Sequence, residues 1–557
     1  MRVLGIEGTA WAASAALHDT ATDETAIETD AYLPDSGGIH PREAAEHMRE
    51  AIPEVVATVL DHARETHDGA ATDDPTAAPP VDAVAFSRGP GLGPCLRIVG
   101  SAARALAGTL DVPLVGVNHM VAHLEIGRHR SGFADPVCLN ASGANAHVLG
   151  YRAGRYRVLG ETLDTGVGNA IDKFTRHLGW SHPGGPKVEQ RARDGAYTDL
   201  PYVVKGMDFS FSGITSAAKE AVDDGEPVAD VCFALQEHVF AMLTEVAERA
   251  LSLTGSDELV LGGGVGQNDR LREMLAGMCE ARGTDFFAPE PRFLRDNAGM
   301  IAVLGAKMAA AGDTLDVADS AVDPDFRPDE IPVTWRDADA DTRRRAVTVE
   351  SEVQGAEAVV TLDPGAGRVT KRRVPKSYRH PELDERLRAT RTRAEARLTH
   401  DARVAGVPTP LVLDVDPAVV TLTFEHVGTR DLRADVTEAR VRDVAEHLAR
   451  CHDAGLVHGD PTTRNVRVAE EPTGAASAAD DRTYLIDFGL GYYTADPEDF
   501  AMDLHVLGQA LDGTAADAEA LRTAALDAYR ATAAPLAVDT DAVRGQLGAI
   551  EGRGRYQ

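Results

Sequence analysis

Long apolar runs, secretion-signal features and paired cysteines are all missing from this 557-residue sequence. No window approaches the roughly 18 uninterrupted apolar residues of a membrane-spanning helix, and the opening stretch MRVLGIEGTAWAASAALHDT lacks the basic start and apolar run of a signal peptide. The five Cys show no CxxC spacing, which argues against a zinc ribbon and a disulfide framework. We therefore expect a protein of the reducing cytoplasm that has no membrane partner.

Lysine is also scarce. Only seven of the 56 basic residues are Lys, and 88 acidic residues bring the formal net charge to −32. Because the acidic residues are spread over the whole length, we interpret them as a hydrated surface whose self-repulsion is screened by salt, as in a halophile. An acidic tail for a basic partner is the weaker alternative. The length and the 43% hydrophobic content predict a globular chain of two to four domains.

Two similar segments, each with a strand, a glycine-bearing turn and a strand, organise the first part: RVLGIEGTAWAASAAL and PVCLNASGANAHVLGYRAGRYRVLGETLD. Two β-then-α steps lie between them, in DAVAFSRGPGLGPCLRIVGSAARALAGTL and VPLVGVNHMVAHLEIG. A strand, a triple-Gly loop and a helix starting near Asn268 follow in ELVLGGGVGQNDRLREMLAGMCEARG. This repetition predicts a duplicated α/β domain with a ligand cleft between its halves.

A histidine pair, His119 and His123, lies in VGVNHMVAHLEIG. If Asn118 caps a helix, both imidazoles project from one face, one turn apart, and can bind one metal ion. Metallopeptidases with H-E-x-x-H share this spacing, but Met120 stands where their catalytic Glu would be. The pair therefore predicts a metal that holds a substrate and acts as a Lewis acid, with a plain pair in a packed helix as the alternative.

The second part carries the elements of a protein kinase in their usual order. Lys371 follows a PGAG turn, and Glu395 comes 24 residues later in a predicted helix. HGDPTTRN then supplies Asp460 and Asn465, and TYLIDFGLG supplies Asp487. In kinases the Lys holds the α- and β-phosphates of ATP, and the Glu orients that Lys. The first Asp accepts the proton of the hydroxyl group that receives the phosphate, and the Asn and the second Asp bind Mg²⁺.

Three departures from that pattern narrow the expectation. The loop expected over the phosphates, QGAEA, has the single glycine Gly355, and His-Gly-Asp replaces His-Arg-Asp. The chain already looks helical by Asp503, which leaves hardly any activation segment to dock a peptide. We expect an ATPase or a narrow kinase. The composition changes after residue 311, and we place a linker at 337–348 between domains 1–336 and 349–557.

The motifs HGDPTTRN, LIDFGLG and VTKRRVPKSYRHPELDERLRATRTRAEARL resemble the small atypical kinase of the KEOPS complex. NHMVAHLE, SGANAH, HPGGPKVEQ, FSFSGI and LGGGVGQNDRLR resemble the universal tRNA threonylcarbamoyltransferase that accompanies it. The two are fused here, as in some archaea. The resemblance implies an actin/Hsp70-like duplicated α/β domain followed by a minimal, bilobal α+β protein-kinase-like domain. It also implies synthesis of N6-threonylcarbamoyladenosine next to the anticodon of tRNAs that read codons starting with A.

The resemblance further implies a set of site residues. The third metal ligand maps onto Asp296, for which a helix N-cap is the alternative, and Asn140 stands where many relatives supply a Tyr contact. The ion would be Fe²⁺ or Zn²⁺, and the second domain would bind ATP and Mg²⁺. Residues implied to bind threonylcarbamoyl-adenylate are Asn140, Ala141, Ser142, Gly143, Ala144, Asp172, Gly185, Glu189 and Asn268.

The implied partners are tRNA and small KEOPS subunits, one dimerising subunit on the transferase domain and one regulatory subunit on the kinase domain. Residues 368–397 hold eleven Lys or Arg in thirty positions, and the tail reads GRGRYQ. We predict that these tracts contact tRNA phosphates, with a solvated helix face as the alternative. Two other function classes stay open: a metallopeptidase, and a signalling kinase with a sugar-kinase-like regulatory domain.

Overall fold

A computed structural model of the protein describes residues 1–32, 40–66, 78–336, 352–469 and 482–553. The predicted linker at 337–348 and the last four residues of the basic tail lie outside the described residues. The domain boundaries therefore stay a prediction. In the ranges that the structure describes, no helix is both long and apolar enough to cross a membrane.

The first half of the N-terminal part is a five-stranded sheet with three helices. Its strand order is β3-β2-β1-β4-β5, in which β2 is antiparallel to both of its neighbours, β1 and β3, and β4 and β5 are parallel to β1. The elements are β1 (Arg2–Glu7), β2 (Ala12–Asp19), β3 (Glu24–Ala31), α1 (Pro41–Glu65), β4 (Ala83–Gly89), α2 (Gly93–Leu110), β5 (Leu114–Asn118) and α3 (His119–Ser131).

The second half repeats this topology, with the sheet order β12-β11-β6-β7-β8 and the same pattern of parallel and antiparallel pairs. The prediction of a duplicated α/β domain is thus confirmed. Its elements are β6 (Val137–Ala141), β7 (Ala146–Arg152), β8 (Arg155–Glu161), α4 (Val167–His177), α5 (Gly185–Ala192), β9 (Val204–Lys205), β10 (Asp208–Phe209), α6 (Ser212–Asp223), α7 (Val228–Thr254), β11 (Glu258–Gly262), α8 (Asp269–Arg282), β12 (Asp285–Phe287), α9 (Pro291–Leu294) and α10 (Ala298–Ala310).

The end of α3 that carries the histidine pair is fixed by a side-chain cap. The Asn118 side chain accepts hydrogen bonds from the backbone N–H groups of Met120 and Val121, as the sequence predicts. The helix ends at Gly132, whose φ of 73° is the left-handed conformation that glycine adopts without a Cβ clash. Residues 119–127 are all buried, so α3 lies inside the domain rather than on its surface.

The rest of the chain forms a second body. Five strands pair antiparallel in the order β13-β14-β15-β17-β16, and a mostly helical region follows. The elements are β13 (Glu352–Gln354), β14 (Ala358–Asp363), β15 (Arg368–Arg373), α11 (Pro381–Val404), β16 (Val412–Asp416), β17 (Thr421–Glu425), β18 (Arg430–Asp431), α12 (Glu438–Asp453), β19 (Leu456–Val457), β20 (Val466–Ala469), β21 (Arg482–Leu485), β22 (Tyr492–Tyr493), α13 (Pro497–Thr514), α14 (Ala518–Ala533) and α15 (Thr540–Arg553).

The two bodies meet along α7, a 27-residue helix that is buried from Ala234 to Leu253. A helix that is buried all round needs partners on every side. Acids and bases from both bodies pair across this contact, all of them buried except the half-buried Glu357. We call them the interface cluster: Glu245, Glu248, Arg249, Glu357, Lys376, Arg379 and Arg391. The short β22 is soon followed by α13, so the segment after Asp487 is as brief as the sequence predicts.

Candidate metal and nucleotide sites

Three potential metal ligands converge at the start of α3. Asp296 Oδ1 lies 3.3 Å from the Nε2 atoms of both His119 and His123, and the imidazole centroids are 4.9 Å apart. One ligand atom from each residue falls within 4.8 Å of the other two. Two imidazoles and a carboxylate are a donor set that suits Zn²⁺ or Fe²⁺. The residues therefore fit the metal that the resemblance implies.

Two residues that the sequence analysis missed hold these ligands in place. Glu7, which is fully buried at the end of β1, lies with Oε2 3.1 Å from His119 Nδ1. The indole N–H of Trp11 donates to Asp296 Oδ2 at 3.0 Å. Carboxylates behind a ligating imidazole fix its tautomer and raise its basicity. The one signal for Glu7 in the sequence is an acid at the end of an apolar strand, directly before the glycine turn.

The charges around the cluster shift its proton affinities in opposite directions. Burial disfavours the charged form of His119, but the carboxylates of Glu7 and Asp296 outweigh burial and raise the pKa of His119 to about 10. Burial lowers the pKa of His123. The pKa of Asp296 stays below its usual range despite burial, because His119 and His123 stabilise the carboxylate. The pocket is thus built around a buried negative charge that a cation can balance.

Asp296 is not the N-cap of α10. The side chain of Asn297 accepts from the N–H of Met300, which leaves the Asp296 carboxylate to the two histidines. Asn140 lies close by on β6: its Nδ2 is 3.8 Å from the sulfur of Met120, and its Oδ1 is buried without a hydrogen bond among the described residues. Within the described ranges no hydrogen bond joins Asn140 to the three ligands, so coordination by Asn140 stays a prediction.

Two glycine-bearing turns continue from the ligands into the second half. A Cβ on Gly263, whose φ is 84°, would meet the carbonyl oxygen of Ala141 at 2.2 Å, so the triple-Gly loop presses against residues 140–144. The turn that contains Ser142 packs on the start of α4, because the N–H of Gly168 donates to Ser142 O at 3.2 Å. Gly143 faces open space, with no atom within 4 Å of where a Cβ would lie. At Gly263, only a residue without a Cβ allows the backbone to lie this close to Ala141.

The other implied substrate residues form two contacts near these loops. Asp172 Oδ1 accepts from the N–H of Gly184 at 2.7 Å, directly before Gly185, which also faces open space. Glu189 Oε1 accepts from the N–H of Asp269 at 3.2 Å, beside Asn268, whose side chain caps α8. The predicted helix start at Asn268 is therefore confirmed, whereas contact of these residues with a nucleotide remains a prediction.

A second charged cluster lies between the sheet and the helices of the C-terminal body. Lys371 Nζ is 2.8 Å from Glu395 Oε1 and 2.7 Å from Asp487 Oδ1. Arg373, which the sequence analysis did not single out, donates to Glu395 Oε2 at 2.9 Å. Burial raises the pKa of Glu395, whereas Lys371 and Arg373 oppose burial at Asp487 and lower its pKa. Gly355 forms a tight turn, with its N–H donating to Ala358 O at 2.8 Å.

Asp460 and Asn465 lie together, and a residue of the first body reaches them. Asn465 Nδ2 donates to Asp460 Oδ2 at 2.9 Å, and Arg249 Nη1 of α7 donates to the same oxygen at 2.7 Å. Burial and the charge of Asp487 outweigh Arg249 and raise the pKa of Asp460 to about 6. Asp503 accepts from the N–H groups of His458 and Gly459 and so fixes this loop. No pattern in the amino-acid sequence predicted that Arg249 would meet Asp460, 211 residues away.

The basic tract at 368–397 is less available than the sequence suggests. Arg373, Lys376, Arg379 and Arg391 are buried and bind carboxylates, three of them across the contact between the bodies. The prediction that this tract contacts tRNA is therefore wrong for these four residues, because their charge is already neutralised inside the protein. Members of the tract that remain exposed are Arg368, Arg372, Arg386, Arg393 and Arg397.

Comparisons with known proteins agree with this architecture. The sequence model of the TsaD family, described as tRNA N6-adenosine threonylcarbamoyltransferase, matches residues 21–303. The chain is 69% identical over 559 residues to a "probable bifunctional tRNA threonylcarbamoyladenosine biosynthesis protein" of Halobacterium salinarum, covering 100% of this chain and 99% of that protein. A protein with the same description in Haloarcula marismortui is 67% identical, covering 100% of this chain and 100% of that protein. Another, in Methanospirillum hungatei, is 50% identical, covering 100% of this chain and 99% of that protein. The chain belongs to the family of bifunctional tRNA threonylcarbamoyladenosine biosynthesis proteins.

Proposed function

We propose that the first body transfers the threonylcarbamoyl group of threonylcarbamoyl-adenylate to N6 of the adenosine that follows the anticodon in tRNAs reading A-starting codons. The observation that carries the proposal is the unbroken path from the metal ligands to the glycine turns. A Cβ on Gly262 would lie 3.5 Å from His123 and 3.4 Å from Asn140, and the next residue, Gly263, touches Ala141. A ligand with a polar acyl end and a phosphate would present its two ends to these two neighbouring groups of residues.

The side chains at the acyl end have separate tasks. His119, His123 and Asp296 would hold an Fe²⁺ or Zn²⁺ ion, and Glu7 and Trp11 orient them. When bound, that ion supplies Lewis acidity and a point of attachment for the threonyl carboxylate and hydroxyl. Met120 is buried where a metallopeptidase would carry its Glu, which disfavours the peptidase alternative. The reaction needs no such base, because the leaving group is already activated as an adenylate.

The glycine turns would hold the nucleotide end of the substrate. Gly143 and Gly185 both face open space, so a phosphate or ribose can approach the backbone there. Residues 140–144 would contact the phosphate, and Asp172, Glu189 and Asn268 would contact the ribose and adenine. The adenine amine of tRNA would attack the carbamoyl carbon, the bond from that carbon to the phosphate oxygen would break, and AMP would leave with that electron pair, while the proton that the amine loses passes to water.

We further propose that the C-terminal body is protein-kinase-like and hydrolyses ATP with Mg²⁺. Support comes from Lys371, which contacts both Glu395 and Asp487, and from Asn465, which contacts Asp460. Asp460 would be the catalytic base, Asn465 and Asp487 the Mg²⁺ ligands, and Gly355 part of the loop over the phosphates. The brief segment between Asp487 and α13 offers little room to dock a peptide, which favours an ATPase that supports turnover or tRNA release over a signalling kinase.

Small KEOPS subunits complete the proposed assembly, with a dimerising subunit on the transferase body and a regulatory subunit on the kinase-like body. tRNA would bind through the exposed arginines of 368–397 together with surfaces that these subunits contribute. The strongly acidic surface of this chain explains why such help is needed.

The test incubates the full chain with tRNA, threonylcarbamoyl-adenylate and the small subunits, and measures modified nucleosides by mass spectrometry. We expect His119→Ala to lose the bound metal and the transfer, while ATP hydrolysis stays near normal. His62→Ala, at an exposed position of α1, is the matched control and should change neither. Full transfer by a His119→Ala protein without metal would contradict the role given to the ion.

A further inference from the structure

A second group of potential metal ligands lies at the other end of α3. His18 is the penultimate residue of β2, Asp23 lies in the turn before β3, and His129 is in the last turn of α3. One ligand atom from each falls within 4.8 Å of the other two. His129 Nε2 is 2.6 Å from Asp23 Oδ1, and the two imidazoles meet edge to face with centroids 5.9 Å apart.

Neighbouring side chains orient these three residues. His18 Nδ1 lies 3.0 Å from the hydroxyl of Thr25, and when Nδ1 donates to that oxygen, Nε2 presents a lone pair. Arg130 is 3.6 Å from the other carboxylate oxygen of Asp23, and Arg130 is itself paired with Glu290 at 2.7 Å. The carboxylate therefore has one oxygen near an arginine and the other turned to His129.

Burial and charge favour a cation over a proton. His18 is 3% exposed, and burial disfavours the protonated form of an imidazole. A neutral imidazole is the form that binds metals. The carbonyl end of α3 carries partial negative charge, which also favours a cation. The side chain of Asp23 is 54% exposed, which gives an ion access from solvent.

We propose that His18, Asp23 and His129 form a second metal site, which takes a divalent transition-metal ion of the Zn²⁺ class and leaves water in the open position. Two imidazoles with one carboxylate match the borderline donors that such ions prefer over Mg²⁺ or Ca²⁺. The ion would tie the β2–β3 hairpin to the helix that carries His119 and His123. His123 and His129 are six residues apart, about 9 Å along that helix.

The experiment counts metal ions bound by the full chain. Protein stripped with a chelator is titrated with Co²⁺, followed by its visible absorption, and with Zn²⁺ by calorimetry. We expect Asp23→Asn and His129→Asn each to bind one ion fewer per chain than the unaltered protein, or to bind that ion at least tenfold more weakly. Asn suits position 23, because Asp23 has a φ of 57° and Asn tolerates the left-handed region. The readout is a difference of one ion, so it does not depend on whether the site at His119 binds metal.

The matched control is His177→Asn. His177 pairs with Asp223 at 2.8 Å in another exposed His–Asp contact, which has no third ligand in the described clusters. This variant should bind as many ions as the unaltered protein. Zn²⁺ should also raise the melting temperature of the unaltered protein and of His177→Asn more than that of the two site variants. Equal ion counts with equal affinities in all four proteins would overturn the proposal and leave an ordinary His–Asp ion pair.

Discussion

Glu245 is the centre of the interface cluster, and its replacement by Gln tests how the two bodies are held together. The carboxylate is 1% exposed and accepts from Arg249 at 3.0 Å, Arg379 at 2.6 Å and Tyr202 at 2.7 Å. Arg391 approaches it at 3.1 Å. Despite burial, the surrounding guanidinium groups hold the pKa of Glu245 below its usual range, so this acid is charged at neutral pH.

The expected loss of stability follows from the charges that remain after the substitution. Glu245→Gln keeps the volume of the side chain but removes the one carboxylate that all three buried guanidinium groups share with Tyr202. The carboxylates that remain are Glu357, beside all three arginines, Asp460 beside Arg249 and Asp384 beside Arg379. Removing one partner of a buried ion pair costs about 3–5 kcal/mol, because the other charge stays buried without compensation. With about 2–4 °C per kcal/mol for domains of 150–250 residues, the melting temperature should fall by roughly 6–20 °C.

The assay is thermal unfolding in molar KCl, followed by circular dichroism. Glu46→Gln is the matched control, since Glu46 pairs with Arg42 at 3.2 Å on the surface, where the two side chains are 55% and 91% exposed. Exposed pairs contribute little, and salt screens them, so this control should melt with the unaltered protein. If Glu245→Gln melts within 1 °C of the control, the interface cluster does not hold the bodies together and the reasoning fails.

Three further predictions concern ATP chemistry and salt. Asp487→Ala should abolish ATP hydrolysis, because a Mg²⁺ ligand is lost, but a single round of tRNA modification measured with excess enzyme should survive. If that first round is lost as completely as in His119→Ala, the two activities are not separable. The kcat/KM of ATP hydrolysis should rise as the pH increases through about 6, because Asp460 is protonated below its raised pKa and can act as a base above it. A profile that is flat from pH 5 to 8 would show that Asp460 is not the catalytic base. The unfolding midpoint should increase from low to molar KCl, because salt screens the formal charge of −32; a decrease would exclude the halophile interpretation.

Much of the fold could be predicted because its signals are local. Glycine turns between apolar strands predicted both hairpins, and Asn118 and Asn268 predicted two helix starts through their capping side chains. His119 and His123 needed only the helical repeat to be placed on one face. Asp296 is different, because only the resemblance singled it out. The structure then showed that Asn297 caps α10 and that Asp296 faces the histidines.

The composition alone determined that the chain is acidic and poor in lysine, and the order of its motifs alone indicated the two fused parts. Tertiary structure decided which charged side chains are buried and which partners they bind. The sequence predicted that Arg379 and Arg391 are solvated or bind tRNA. Both are buried against Glu245, which precedes them by more than 130 residues in the chain. Glu7 meets His119, and Arg249 meets Asp460, for the same reason. The partner of a charged residue cannot be predicted from the sequence, because an ion pair depends on a short distance that arises only when remote segments pack together.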